Sequence, residues 1–254
     1  MLTTTFLKDR LSVRVYDTRT DMGKNAAADA AAMIHKVILE KGEANVIFAA
    51  APSQNDFIEA LIQMEGIDWS KVNAYHMDEY IGIAVDAPQS FAKFLKDRIF
   101  DRLPFKSVNL IHCDVENPEA ECERYAKLLQ ENAPDVVCLG IGENGHIAFN
   151  DPPVADFQDK KKVKLVVLDE ICRQQQVNDG CFATLDSVPR QAMTLTIPSL
   201  VEAKAMFCVV PTEKKAEAVR NTVYGTISEV CPASILRQHE HAVLYCDEAS
   251  AKLL

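Results

Sequence analysis

The chain has 254 residues, 48% hydrophobic and 25% charged, which supplies apolar side chain for a full core and excludes a disordered polymer. A formal net charge of −10, with Lys160-Lys161-Lys162 reading as a solvated turn, argues against nucleic acid or anionic membrane as partners. No apolar stretch reaches the roughly 18 residues of a membrane span. The start, MLTTTFLKDR, lacks a signal peptide's apolar core, and the eight cysteines form no C-x-x-C pair; a reducing, cytoplasmic setting without a metal centre is expected.

In chain order, short apolar runs alternate with amphipathic stretches. Val13–Tyr16 reads as a strand. Residues 21–41 read as a helix, with Ala30, Met33, Ile34, Val37 and Ile38 on one face and Gly42 as the stop. Asn45–Ala50 is an apolar strand, Ser53–Glu65 a helix, Val72–Met77 a strand, Pro88–Phe100 a helix and Val108–His112 a strand. Asn117-Pro118 opens a helix with a capping side chain followed by Pro at the first helical position. Asp135–Ile141 has the unbroken apolar character of a central parallel strand. Strands Val163–Leu168, Ala205–Val210 and Ala242–Cys246 follow, with a helix over Lys214–Val223 between the last two.

This alternation predicts an α/β fold: a single doubly wound, mostly parallel sheet with helices on both faces, Rossmann-like, in one domain spanning 1–254. Ligands in such folds bind at the carboxyl ends of the strands, so the segments after Ala50, Met77 and Ile141 are the ones to inspect.

Two of them carry chemistry. In Leu139-Gly140-Ile141-Gly142-Glu143-Asn144-Gly145-His146-Ile147-Ala148-Phe149-Asn150-Asp151-Pro152 a strand runs into closely spaced glycines, then an amide, an imidazole and a carboxylate. Gly142 and Gly145 permit tight backbone and close ligand approach. His146 is a natural proton carrier near neutral pH, and a nearby carboxylate can fix its tautomer. In Asn73-Ala74-Tyr75-His76-Met77-Asp78-Glu79-Tyr80 two carboxylates follow a strand. An acid there, in a partly dry pocket, can act as a base; on spacing alone the pair fits a helix cap or a solvated loop equally well. His76, inside the strand, reads as packed or surface.

The blocks HMDEYIGI…APQSF and LGIGENGHIAFNDPP, at this separation, resemble the signatures of the glucosamine-6-phosphate deaminase/isomerase family. Ser187-Val188-Pro189 with Ala192-Met193-Thr194, Lys214-Lys215-Ala216 and Cys231-Pro232-Ala233-Ser234-Ile235-Leu236 agree with it in order. The related 6-phosphogluconolactonases share the glycine-histidine loop, but usually carry an acid-Arg pair at Glu79-Tyr80 and lack the AFN-acid-Pro ending. The resemblance implies a single α/β domain that converts an aminohexose phosphate to a ketose phosphate and ammonia without a cofactor. It makes Asp78 the base at C2 and His146 the ring-opening group. Asp151 orients or charge-balances His146, and Asn144 stands where some members carry a second Asp. Ser53, Gly142, Gly145 and Lys215 would contact the sugar phosphate.

Three departures bear on the substrate. Asp151 replaces the family's usual Glu. Ala49-Ala50-Ala51-Pro52-Ser53-Gln54 replaces a glycine-rich phosphate cradle. Gly180 falls where a phosphate-binding arginine is usual, leaving Arg173 as the nearest substitute, although it also fits a surface position on a short helix. The Gln174–Asn178 cluster could instead recognise hydroxyls. Another sugar, sugar phosphate or lactone, or a non-catalytic sugar-binding regulator, are the alternatives. The oligomeric state is open, a homo-oligomer included.

Overall fold

The computed structural model describes residues 1–254. Strands β1 (Leu2–Lys8) and β2 (Leu11–Tyr16) form an antiparallel hairpin. Helix α1 (Arg19–Lys41) begins where the Thr18 side chain accepts a hydrogen bond from Asp21 N–H. It ends at Gly42, whose φ of 87° lets its own N–H reach the Ile38 carbonyl. Then come β3 (Ala44–Phe48), α2 (Asn55–Leu61) and β4 (Val72–His76).

After β5 (Asp78–Tyr80), α3 (Phe91–Leu95) runs into a π turn over Lys96–Phe100. Next are β6 (Ser107–Asn109), α4 (Pro118–Glu131) and β7 (Val136–Leu139). As expected, Asn117 caps α4 by accepting from Ala120 N–H. The remaining elements are β8 (Val163–Val167), α5 (Glu170–Asn178), β9 (Gln191–Leu195), α6 (Ile197–Val201), β10 (Ala205–Val210), α7 (Ala216–Tyr224) and β11 (Ala242–Asp247).

Eight strands make the main sheet, in the order β1-β2-β11-β10-β7-β3-β4-β6, parallel from β2 onward. Alternate side chains of the central strands feed two cores. Val46, Phe48, Val136 and Cys138 enter the core under α1, α2 and α3. Ile47, Val137 and Leu139 enter the opposite core, under α4, α6 and α7. This is the doubly wound arrangement expected, and burial of both faces explains the unbroken apolar runs.

The chain winds from β3 towards β4 and β6, then returns through β7 to β10 and β11. Strand order therefore reverses between β3 and β7, and the crevice of such a sheet opens at that reversal. The structure differs from expectation in one architectural respect. Strand β8, read as one more strand in the alternating series, lies outside the main sheet in a three-stranded antiparallel sheet, β5-β9-β8. This small sheet carries Asp78 and sits beside the crevice.

Candidate active site

The loops after β3, β4, β7 and β10 enclose a cleft of about 320 Å³. Asp78, His146, Gly142, Ser53 and Lys215 all line it. Asp78 and His146 therefore face one cavity, as a shared proton-transfer site requires.

Asp78 opens β5 and pairs in register with Thr194 of β9. It is 7% exposed, and no hydrogen-bond donor of the chain reaches its carboxylate. Burial, then the charges of Glu79 and Asp151, raise its pKa well above the ordinary carboxylate value. Its neighbour Glu79 is fully buried and accepts from Tyr80 N–H at 3.0 Å, Ser90 Oγ at 2.9 Å, Phe91 N–H at 3.1 Å and Ala92 N–H at 2.9 Å. Of the two acids at this strand end, one is saturated with donors and ties β5 to the start of α3. The other faces the cavity with none.

The glycine-histidine loop is built around its imidazole. Gly142 N–H donates to the His146 carbonyl at 2.9 Å, and Gly145 N–H to the Gly142 carbonyl at 3.0 Å. A Cβ at Gly142 would stand 2.1 Å from His146 Cε1, so the ring lies directly on the glycine. Gly145 has φ +85° and lies against Cys231, away from the cavity. It shapes the turn, whereas the sequence placed it against ligand.

His146 Nδ1 lies 2.8 Å from Asn144 Oδ1 and 2.9 Å from Asp151 Oδ1. Asn144 Nδ2 donates to Asp151 Oδ1 at 3.0 Å, and Asn144 Oδ1 also accepts from His146 N–H at 3.0 Å. With the amide oriented this way, two acceptors converge on Nδ1. The assigned tautomer therefore carries its proton on Nδ1 and presents a bare Nε2. Asp151 is buried behind the histidine. Burial opposes its ionisation, but His146, Asn144 and Cys172 outweigh that and hold its carboxyl below the ordinary range.

Cys172, which the sequence did not single out, lies against this relay. Its thiol, an Asp151 oxygen and a His146 ring nitrogen are all within 4.8 Å of one another. Burial, then Asp151, keep it a neutral thiol.

Where the resemblance implied phosphate contacts, the structure departs from expectation at one residue. Arg173 does not line the cavity: it donates to the Leu185 carbonyl at 2.6 Å and the Val188 carbonyl at 3.0 Å, bracing α5 against the following loop. Ser53 does reach the cleft, although within a short turn over Pro52–Gln54 and not at the head of the long helix expected there. Lys215 is 6% exposed, and its ammonium has no hydrogen-bond or ion-pair partner; burial lowers its pKa. Gln175, Gln176, Asp179 and Gly180 complete that wall, with Gln175 Oε1 accepting from Glu143 N–H at 2.8 Å. Of the Gln174–Asn178 cluster, Gln174 and Asn178 are exposed and bond each other. Arg19 and Arg98 also line the cleft. Neither stood out in the sequence: Arg98 fell inside the helix read over Pro88–Phe100, and Arg19 just ahead of the one read over 21–41.

A family model described as glucosamine-6-phosphate isomerases/6-phosphogluconolactonase matches residues 17–245. The chain belongs to this family. A glucosamine-6-phosphate deaminase of Streptococcus pyogenes serotype M18 is 33% identical over 216 residues, 85% of this chain and 90% of its own. One from Streptococcus equi subsp. zooepidemicus is 34% identical over 221 residues, covering 86% and 91%. Among solved structures, a monomeric glucosamine-6-phosphate deaminase superposes with a TM-score of 0.86 at 31% identity, covering 95% of this chain and 99% of that one. A 6-phosphogluconolactonase from Shewanella baltica gives 0.76 at 16% identity, over 92% and 97%, and shares the fold. No helix of the chain is long and apolar enough to cross a membrane.

Proposed function

We propose that this member of the family isomerises and deaminates glucosamine-6-phosphate, giving fructose-6-phosphate and ammonia. The observation that carries the reading is the donor-free Asp78 carboxylate sharing one cleft with a histidine whose Nε2 is bare. The whole chain acts as one catalytic domain in this scheme.

The His146 Nε2 takes the proton of the anomeric hydroxyl and returns it to the ring oxygen as the C1–O5 bond breaks, giving the open-chain aldehyde. Asp151 and Asn144 hold the imidazole in the tautomer that does this. Asp78 then removes the C2 proton while solvent protonates O1, giving an enolamine across C1 and C2; that borrowed proton is released when the iminium formed next is hydrolysed. The same carboxyl group returns a proton to C1, leaving an iminium at C2. Water adds to C2 and ammonia leaves. The sum is one water consumed and one ammonia released, with C1 reduced and C2 oxidised internally, so no external redox cofactor is required. The raised pKa of Asp78 suits a group that must take up a proton and give it back.

Lys215 and the Ser53 hydroxyl bind the phosphate in this reading, and Gly142, by leaving room for the imidazole, sets His146 against the sugar. The enzyme is thus a deaminase whose hydrolytic step follows the isomerisation. Ammonia release tests this, with glucosamine-6-phosphate, galactosamine-6-phosphate, unphosphorylated glucosamine and 6-phosphogluconolactone in parallel. Release from glucosamine-6-phosphate well above the other amino sugars is the expected result. Lactone hydrolysis without ammonia release from any amino sugar would overturn the assignment.

A further inference from the structure

We propose that Arg98 is a specificity-determining residue of this site and, with Lys215, holds the phosphate of the substrate; this rests on the amino sugar phosphate reading above. In a chain of net charge −10, three cationic side chains line the cleft: Arg19, Arg98 and Lys215. Arg19 is already committed, with Nε on the Asp56 carboxylate and Nη2 on the Pro52 carbonyl at 2.6 Å. The wall at residues 175–181 contributes two glutamines, the Asp179 carboxylate and side-chain-free Gly180, and no cation. Arg173 is turned away onto two carbonyls. A phosphate dianion held by Lys215 alone would face Asp179 with half its charge uncompensated.

Arg98 supplies what is missing. It has no ion-pair partner. Its Nε donates to the neutral Asn55 Oδ1 at 2.8 Å, and its guanidinium carbon stacks 3.7 Å from the centre of the Phe94 ring, itself part of the cleft. These contacts, with Nη1 donating to the Phe94 carbonyl at 3.5 Å, fix the plane of the fork, while Nη2 donates to nothing in the chain. A preset guanidinium whose Nη2 is free is suited to capture of phosphate oxygens.

Position supports the pairing. Asn55, which anchors Arg98, follows Ser53 and Gln54 directly. Gln54 Nε2 donates to the Val209 carbonyl at 3.1 Å, near the end of β10. Lys215 closes the turn over Glu213–Lys215 that follows β10. The Ser53 segment is therefore bonded on one side to the residue that holds Arg98. On the other side it is bonded to the strand that leads to Lys215.

The test compares wild type, R98Q and R98K, with R102Q as control; Arg102 pairs with Glu59 on the exposed surface. R98Q is expected to raise KM for glucosamine-6-phosphate about 30- to 100-fold with kcat within about threefold, the pattern of lost binding common to ground and transition states. R98K, which keeps the stem and charge but not the fork, should fall between. Binding of fructose-6-phosphate and of inorganic phosphate, measured by calorimetry, should weaken in parallel, with R102Q unchanged. Wild-type KM and phosphate binding in folded R98Q and R98K would overturn the proposal. Calorimetry separates the two readings. Phosphate binding that depends on Arg98 but no ammonia release would leave the anion site standing and remove the proposed reaction. Ammonia release indifferent to Arg98 would do the reverse.

Discussion

Asp78 and Glu79 are adjacent acids with opposite environments, and the difference is the donors around them. Four donors saturate Glu79, and none reaches Asp78. A buried carboxylate without donors destabilises the fold when ionised. With the folded-state pKa raised above an ordinary value of 3.8, stability is highest below that value. It is lost as pH rises through the folded pKa. Asp78→Asn should therefore melt higher than wild type at pH 7–8, by about 2–4 °C for each kcal/mol relieved. At acidic pH, where Asp78 is protonated, the two should melt alike. Thermal melts across pH give the answer, and an unchanged or lower melting temperature at pH 8 would contradict this view of the site. Gly142 is constrained differently: its missing Cβ is the space the imidazole occupies. Gly142→Ala should displace His146 and lower kcat about 10²-fold, since small misplacements of reacting groups cost that much. Circular dichroism should show the fold intact.

At the scale of elements, the catalytic strand end is held by Glu79, which ties β5 to the first turn of α3. Glu79→Gln puts an amide NH₂ among N–H donors, breaking at least one buried hydrogen bond, and should cost about 2–4 kcal/mol in chemical denaturation. Activity should fall with it, because Asp78 follows the strand. A change below about 0.5 kcal/mol, the range of ordinary surface substitutions, would show that Glu79 is not the tie described. The long apolar strands and the capped helices were legible in sequence because both faces of the sheet are buried, Asn117 is an unambiguous start and Gly42 an unambiguous stop. Strand β1 was not, since LTTTFLK lies exposed at an edge and alternates weakly. Strand β5 is three residues of Asp-Glu-Tyr, whose extended form is imposed by β9, and no local pattern announces it. The side sheet that recruits β8 is likewise a long-range pairing. The His146–Asn144–Asp151 relay could be anticipated because it lies within eight residues of chain. Arg98 and Cys172 could not, because their approach to the site depends on how distant helices pack.

Across the whole molecule, the chain carries a net charge of −10 while the cleft holds Lys215 and Arg98 without ion-pair partners, so the proposed sugar phosphate would be drawn to one place by local and not net charge. The sheet also carries a buried base with no catalytic part to play. His76 is completely buried; its Nε2 accepts from Ile111 N–H at 2.7 Å and its Nδ1 has no partner. Burial drops its pKa from 6.5 to about 3. The unfolded chain then binds a proton that the folded chain refuses between those values, so stability is full above pH 6.5 and declines as pH falls towards 3. One such group gives a slope of at most about 1.4 kcal/mol per pH unit. His76→Gln, which can still accept from Ile111, should flatten the melting profile between pH 4 and 6. An unchanged profile would assign acid sensitivity elsewhere.

The proposed reaction depends on Asp78 moving the proton between C2 and C1 of an amino sugar phosphate in the cleft it shares with His146. The most direct measurement is ammonia release from glucosamine-6-phosphate by Asp78→Asn, alongside calorimetric binding of fructose-6-phosphate to the same protein. Turnover is expected to fall by about 10²–10⁴-fold while binding stays within a few-fold of wild type. Ammonia release by Asp78→Asn at the wild-type rate would contradict it and remove Asp78 from the chemistry.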